Sequence, residues 1–340
     1  MTKLIFLWTG KAPLPAYAFD SLRLNAINSQ SSISLILSSE NYSHCAQQIL
    51  CQIPEYPIET LCLDDFYIRD KRLDALQFCG DLNFRNGFWL HTYERTLVLI
   101  EYYMSSGVPF FHSELDNICF CLDALEARLS SLPINNPCFA RDNWKRAVLS
   151  LSYFQNRNSL TNLREFLLTP GSTMIRNDMH DLGMFMLSFP DLASSFPLEQ
   201  SFLSSNEFSL WNSLSPDHLQ GVFDANTTGQ YIFGIDIANT SRLWNGFVNE
   251  NALIPPHLLN YSIHYYTKHR FVIRLSRQAK SYPLFNIHIH SKALGILKYP
   301  ILSRTLFFLL NLRIFVPLFN LHRARRRVIL KLKNILWHHE

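Results

Sequence analysis

Glycine is scarce in this chain, with 11 residues in 340, and none of them builds a phosphate-gripping loop. Neither G-x-G-x-x-G nor G-x-x-x-x-G-K-[ST] occurs, so the dinucleotide-fingerprint and P-loop readings lose their usual support. Charged residues are also few, 17% against 48% apolar, which excludes a disordered chain. The seven cysteines are odd in number and none form C-x-x-C, so free thiols in a reducing compartment are the simplest account. Long apolar runs are missing as well. The stretch 299–319 is broken by Arg304, Asn311, Arg313 and Pro317, so nothing reaches the roughly 18 residues that a membrane-crossing helix needs. The run before Thr9 is too short for a secretory core and reads as a first buried strand. Acidic residues are absent between Lys292 and Lys333, so the small net charge of +4 sits in the tail and the body is near neutral.

What is present alternates. Residues 3–8, 33–37 and 59–63 are short apolar runs, and 17–28 and 44–49 carry apolar residues at helical spacing. That alternation predicts an α/β fold with a largely parallel sheet, whose ligands sit beyond the carboxyl ends of the strands. Thr9-Gly10, Asp64-Asp65 and Glu114-x-Asp116 all fall at such ends. Two readings stand for Asp64 and Asp65: contacts to a ribose or base, or the N-cap of a helix beginning at Phe66. Residues 88–104 read as one helix buried on most sides. On it, Arg95 is either a phosphate or sugar contact or a structural partner for an acid. Further helices are expected at 122–129, 160–168 and 182–187 and a strand at 147–154, with Asp178 and Asp181 capping the last helix or one of them meeting a sugar hydroxyl. Residues 189–220, rich in Ser, Pro and Phe, read as a loop-rich insertion around a substrate mouth.

The chemistry gathers at two runs. Gly107-Val108-Pro109-Phe110-Phe111 leads into His112-Ser113-Glu114-Leu115-Asp116-Asn117. Carboxylates at i and i+2 share one side of a strand, which suits a hard divalent cation that also takes phosphate oxygens. The plain alternative is a solvated turn. Phe285-Asn286-Ile287-His288-Ile289-His290-Ser291-Lys292 is the second run. As a strand it puts His288 and His290 on one face as candidate third ligands, with Lys292 able to neutralise a diphosphate.

Taken together, Leu7-Trp8-Thr9-Gly10, Gly87-Phe88-Trp89 with Thr92-Tyr93-Glu94-Arg95, His112 to Asn117, Phe223-Asp224 with Gly229-Gln230-Tyr231, Gly246-Phe247-Val248-Asn249-Glu250 and His288 to Lys292 resemble bacterial glycosyltransferases of the GT-A fold. The resemblance spans about residues 4–292. It implies a Rossmann-like sheet and a nucleotide-sugar donor. It also implies Mn²⁺ or Mg²⁺ on Glu114-x-Asp116 in the place of a D-x-D motif, completed by a histidine of the 288–292 run. Glu for the first Asp moves that carboxylate outward by one methylene. The family pattern puts an acceptor or sugar role near Asp224 and Gln230. In an inverting enzyme a carboxylate must deprotonate the acceptor, and Asp178, Asp224 and Asp236 are the candidates. A retaining enzyme needs no base there.

The expected organisation is a catalytic domain over 1–295 and a basic, apolar segment over 296–340. His322-Arg323-Ala324-Arg325-Arg326-Arg327 and the residues to Trp337 interleave cations with apolar groups, which reads as a segment lying on an anionic membrane surface. A helix packed on the body with a solvated basic edge is the alternative. No nucleic-acid module is recognisable, so nucleic acid is not an expected partner. The function expected is metal-dependent transfer of a sugar to a surface polysaccharide, lipopolysaccharide or glycolipid, by a cytoplasmic protein peripheral on the inner face of the cell membrane. The alternatives are another metal-assisted nucleotide-processing enzyme, such as a nucleotidyltransferase, or a non-catalytic membrane-associated binding protein.

Overall fold

The computed structural model describes residues 2–10, 12–76, 88–143, 145–169, 177–199, 214–235, 256–267, 270–277 and 279–312. Asp236, the run 246–250, residues 200–213 of the expected 189–220 insertion and the chain beyond 312 lie outside them.

The N-terminal half builds one sheet. Strands β1 (Lys3–Trp8), β2 (Ser32–Leu37) and β3 (Ile58–Cys62) are separated by helices α1 (Ala16–Asn28) and α2 (Tyr42–Gln52). After helix α3 (Phe88–Ser106) comes β4 (Phe110–Ser113). Then follow β5 (Asn117–Cys119), α4 (Leu122–Ser131), β6 (Cys138–Asn143), β7 (Arg146–Phe154), α5 (Arg157–Leu168), α6 (Asp178–Ser188) and β8 (Ser194–Ser195). The sheet order is β3-β2-β1-β4-β7-β6-β8. The pairs β3–β2, β2–β1, β1–β4 and β6–β8 are parallel, while β7 runs antiparallel to both of its neighbours. The α/β, mostly parallel architecture expected from the alternation is what the chain adopts.

Strand alternation divides the core into two layers. Leu4, Phe6, Leu35 and Phe111 face α1, α2 and α4. Ile5, Ile36, Phe110 and Leu149 face α3, α5 and α6. Each fully buried Leu, Ile or Phe contributes about 2 kcal/mol, and both faces of the central strands are filled.

A second unit of structure follows. Short helices α7 (Pro216–Leu219) and α8 (Thr227–Phe233) precede an antiparallel sheet of β9 (Asn260–Tyr265), β10 (Phe271–Arg277) and β11 (Lys280–Pro283). Strand β12 (Asn286–His288) pairs antiparallel with β5, and helix α9 (Pro300–Asn311) closes the described chain. These parts share a third core built from Ile118, Tyr261, Ile273, Ile287, Phe307 and their neighbours. Leu306, Phe307 and Leu310 of α9 belong to it, so the helix that opens the expected tail packs on the body.

Four local readings change. The strand expected to carry both His288 and His290 ends at His288, because Ile289 N–H donates to Asp116 O at 2.7 Å and Lys292 takes a left-handed φ of 61°. Helix α6 begins at Asp178 rather than 182, capped by Asn177, whose side chain accepts from Met179 N and His180 N. Asp64 and Asp65 lie within a single 3₁₀ turn, Leu63–Asp65, and do not cap a helix at Phe66. Within 189–220, Ser194 and Ser195 join the main sheet and Phe196 and Leu198 enter its core, so this stretch is not wholly loop. Among the described residues, no helix is long and apolar enough to cross a membrane. The six described cysteines are free.

Candidate functional site

Strand β4 ends in the middle of the sheet, hydrogen-bonded on one side to β1 and on the other to β7. Glu114, Leu115 and Asp116 therefore leave from the centre of its carboxyl edge. The chain then turns into β5, whose register with β12 pairs Asn117 with His288. That pairing sets the imidazole directly beside the two carboxylates.

A buried polar network fixes the register. Asn117 Nδ2 donates to Ser113 Oγ at 2.9 Å and to Ser150 O, and Asn25 Nδ2 donates to Asn117 O at 2.9 Å. Asn286 Nδ2 donates to Asn117 Oδ1 at 3.1 Å and to Asp224 O at 2.8 Å. Each buried amide group here has a partner, which is the condition for polar groups to sit in a core without a large penalty.

His288 Nε2 lies 3.1 Å from Asp116 Oδ1 and 3.5 Å from Glu114 Oε2. One ligand atom from each of the three residues falls within 4.8 Å of the others. The opposite atom of each group is held from behind. Arg95 donates to Glu114 Oε1, Lys292 donates to Asp116 Oδ2, and His288 Nδ1 lies 3.4 Å from Ala225 O. Two carboxylate oxygens and one imidazole nitrogen, each oriented by a partner, form a donor set suited to a divalent cation. Among the described residues this is the one such cluster, and its donor set fits a divalent cation.

The electrostatics agree. Burial opposes the charge on Asp116, but His288 and Lys292 outweigh it and hold the carboxyl well below its usual range. Burial likewise opposes Glu114, and Arg95 and His288 lower it in turn. For His288, burial pulls the imidazole down while Asp116 and Glu114 raise it to about 9, so without a cation it carries a proton between them. Burial also works against the Lys292 charge, and Asp116 reverses the effect and raises it.

The cluster opens into a cavity of about 570 Å³. Thr9, Gly10, Arg95, Glu114, Asp116, Asp178, His288, His290 and Lys292 all line it, together with Trp8, Tyr17, Trp89, His91, His112, Arg146 and Asn226. The Thr9-Gly10 wall is held by Asn41, whose Nδ2 donates to Gly10 O at 2.7 Å and to Ala12 O at 3.0 Å. His290 reaches the same cavity with its ring 6.0 Å from that of His288, outside the three-ligand cluster. Asp64 and Asp65 are exposed and do not line the cavity.

Arg95 pairs with Glu114 and, at 3.5 Å, with Asp178 Oδ2, so it joins α3 to both the ligand loop and the first turn of α6. Burial raises the Asp178 carboxyl, and Arg95 offsets only part of that. Arg95 Nε, His112 Nε2 and Asp178 Oδ1 are buried and have no hydrogen-bond partner among the described residues. His112 Nδ1 is bonded to Ile5 O at 2.9 Å, and burial with the nearby Arg95 brings the ring down to about 3, so it is neutral. The polar residue inside the Phe110-Phe111-His112 run was the sequence signal for it.

Asp224 has a different setting. It is fully buried and does not line the cavity. Oδ1 accepts from Thr228 N at 2.9 Å, and Oδ2 accepts from Gly229 N at 2.8 Å and His288 N at 3.0 Å. Its oxygens are occupied in clamping α8 to β12, the strand that carries His288. Gln230 is also buried outside the cavity lining, donating to Asn226 Oδ1 at 2.6 Å. The clamp leaves no room at Gly229, where a Cβ would stand 1.8 Å from His288 O. Gly229→Ala is therefore expected to push β12 from α8, costing about 3 kcal/mol of stability in a urea titration and weakening Mn²⁺ binding with it. Unchanged values for both would contradict the clamp.

Neither a protein-family model nor a curated protein matches the sequence. Solved structures with partial likeness include mouse xyloside xylosyltransferase 1, with TM-score 0.37 and 11% identity over 59% of this chain and 86% of that one. A cytidylyltransferase from Leptospira borgpetersenii has TM-score 0.34 and 10% identity over 58% and 76% of the two chains. The glycosyltransferase GlyE of Streptococcus pneumoniae has TM-score 0.33 and 13% identity over 59% and 46%. At these scores the likenesses assign neither a family nor an activity to the chain.

Proposed function

We propose that this protein transfers a sugar from a nucleotide-sugar donor to a hydroxyl of a glycan or glycolipid acceptor. The observation that carries the reading is the convergence of Glu114 Oε2, Asp116 Oδ1 and His288 Nε2 beside Lys292, on the floor of an aromatic-walled cavity. Those three residues would hold a divalent cation, which would supply positive charge to a diphosphate leaving group. Lys292 adds a second positive charge on the same side, where charge develops as the glycosidic bond breaks. Trp8, Tyr17 and Trp89 offer flat apolar faces to a base or sugar ring, and Thr9 and Gly10 form the adjoining wall.

Asp178 is assigned the acceptor proton in an inverting reaction. It lines the cavity, and its raised carboxyl is closer to the range of a useful base than a fully solvated aspartate. Asp224 is assigned to the clamp described above. Arg95 is assigned to positioning Glu114 and Asp178.

An imidazole in the donor set favours Mn²⁺ over Mg²⁺, which prefers oxygen ligands and sheds water reluctantly. Calorimetry is expected to show Mn²⁺ binding about tenfold or more tightly than Mg²⁺. Equal affinities would remove His288 from the ligand set.

The reaction is tested by incubating the full chain and Mn²⁺ with UDP-, GDP- and CMP-sugars labelled in the sugar, together with bacterial glycans and glycolipids. The reading expects label in the glycan or lipid fraction and free nucleotide in equal amount. Turnover of a nucleoside triphosphate with release of pyrophosphate, and no sugar transfer, would replace it with nucleotidyl transfer.

A further inference from the structure

Helix α9 has two apolar faces. Ser303, Leu306, Phe307 and Leu310 are buried against β9 and the third core. The opposite side carries Ile301 at 80% exposure, Leu302 at 56%, Phe308 at 62% and Leu312 at 49%. At 100° per residue, Ile301, Thr305, Phe308 and Leu312 form one stripe, with Leu302 and Leu309 on its flank. A helix docked on a water-soluble body ordinarily turns a polar face outward. One that turns a second apolar stripe outward requires something to cover it.

The charge around the stripe says what that cover is. Arg304 stands at its edge, over the Tyr265 ring, while Lys298, which precedes the helix, is paired with Asp20. Between Lys292 and Lys333 there is no acidic residue, and Arg313, Arg323, Arg325, Arg326, Arg327, Lys331 and Lys333 follow in sequence. An apolar stripe edged by Arg304, in a chain that continues into a run rich in Lys and Arg and free of acids, is complementary to an anionic lipid bilayer, with apolar side chains in the acyl boundary and cations at the headgroups. A second copy of this chain would bring like charge to like charge, since the acid-free, basic run follows the stripe in each copy.

We propose that the outward face of α9 is a membrane-docking surface that inserts Ile301, Leu302, Phe308 and Leu312 into the interface of an anionic bilayer. The inference rests on α9 and not on the cavity, so it stands or falls separately from the proposed reaction.

The test is flotation of the full chain with phosphatidylglycerol vesicles and with phosphatidylcholine vesicles, comparing wild type with Ile301→Ser/Phe308→Ser. Both positions are solvent-exposed, so the variant is expected to keep its melting temperature and Mn²⁺ affinity. Wild type is expected to float with the anionic vesicles and much less with the zwitterionic ones. The variant is expected to lose about tenfold or more in partitioning to the anionic vesicles. Equal flotation of the two proteins would overturn the proposal, because binding would then belong to the cationic segment alone. Wild-type binding that ignores lipid charge, or no binding at all, would also overturn it. So would sedimentation showing a wild-type dimer that the variant dissociates, since the stripe would then be covered by a second copy.

Discussion

Asp116→Ala is expected to lower Mn²⁺ affinity by about 100-fold or more and to abolish any nucleotide binding that depends on the cation. The effect is large because one side chain does three things. Oδ1 is a ligand atom 3.1 Å from His288 Nε2, Oδ2 receives Lys292, and the carboxylate is the main partner that keeps His288 protonated in the metal-free protein. Removing it leaves the largely buried Lys292 without its carboxylate partner and takes from His288 the main charge that holds its proton, a more costly arrangement than the intact cluster. The variant should therefore also be less stable than wild type without metal. Asp116→Asn separates the two effects. It keeps the volume and one acceptor oxygen, so it should recover much of the stability and little of the Mn²⁺ affinity. Calorimetric titration of both variants, with urea unfolding in parallel, reads the two quantities independently. Wild-type Mn²⁺ affinity in Asp116→Ala would remove this residue from the ligand set.

The second large effect is with pH, and it has opposite signs for the empty and loaded protein. In the metal-free protein the His288 value of about 9 lies above its ordinary 6.5. A raised imidazole stabilises the fold when protonated. That contribution is complete below pH 6.5 and is lost as pH rises through about 9. Metal binding runs the other way, because a ligating imidazole must give up its proton. Below about 9, each pH unit is expected to cost up to about tenfold in apparent Mn²⁺ affinity, with proton release in the calorimetric heat. Titrations in buffers of different ionisation enthalpy at several pH values measure that proton directly. Affinity that is flat across pH 6–8, a range of about two units below the His288 midpoint, would mean the cation binds without His288.

Much of the fold can be read from the sequence because its first strands and helices are locally determined. Leu4-Ile5-Phe6-Leu7 and Ile33-Ser34-Leu35-Ile36-Leu37 are apolar on both faces, as strands covered by helices on both sides must be, and the helices between them show their own period. The three-residue strands β5 and β12 were not legible. Their length holds no period, and they exist because Asn117 and His288 pair across 171 residues of chain (288 − 117). Helix α9 looked like an interrupted apolar run. Its two faces, one docked and one bare, appear only once Leu306, Phe307 and Leu310 are seen in the third core.

The site divides in the same way. Spacing put Glu114 and Asp116 on one side and offered His288 or His290 as a third ligand. The glycosyltransferase resemblance implied that one of these histidines completes the site, and the chain brings Glu114, Asp116 and His288 together. Spacing also put His290 beside His288, but the Ile289–Asp116 backbone bond turns the chain first. Asp224 was a candidate base because an inverting reaction needs a carboxylate and the family pattern puts an acceptor or sugar role near it. What occupies its oxygens is backbone N–H groups, one of them 64 residues away, and amide groups leave no mark on a side-chain pattern. For Arg95 both readings from sequence remain visible in its setting. It partners two acids, and it borders the cavity.

The most direct test of the central claim is calorimetric binding of UDP-, GDP- and CMP-linked sugars to the full chain, once with Mn²⁺ and once with EDTA. The account predicts that one nucleotide class binds with Mn²⁺ present and that EDTA abolishes the binding. Binding that is equally tight with EDTA, or no binding of any class by folded protein that has taken up Mn²⁺, would contradict a cation-bridged donor site at Glu114, Asp116 and His288.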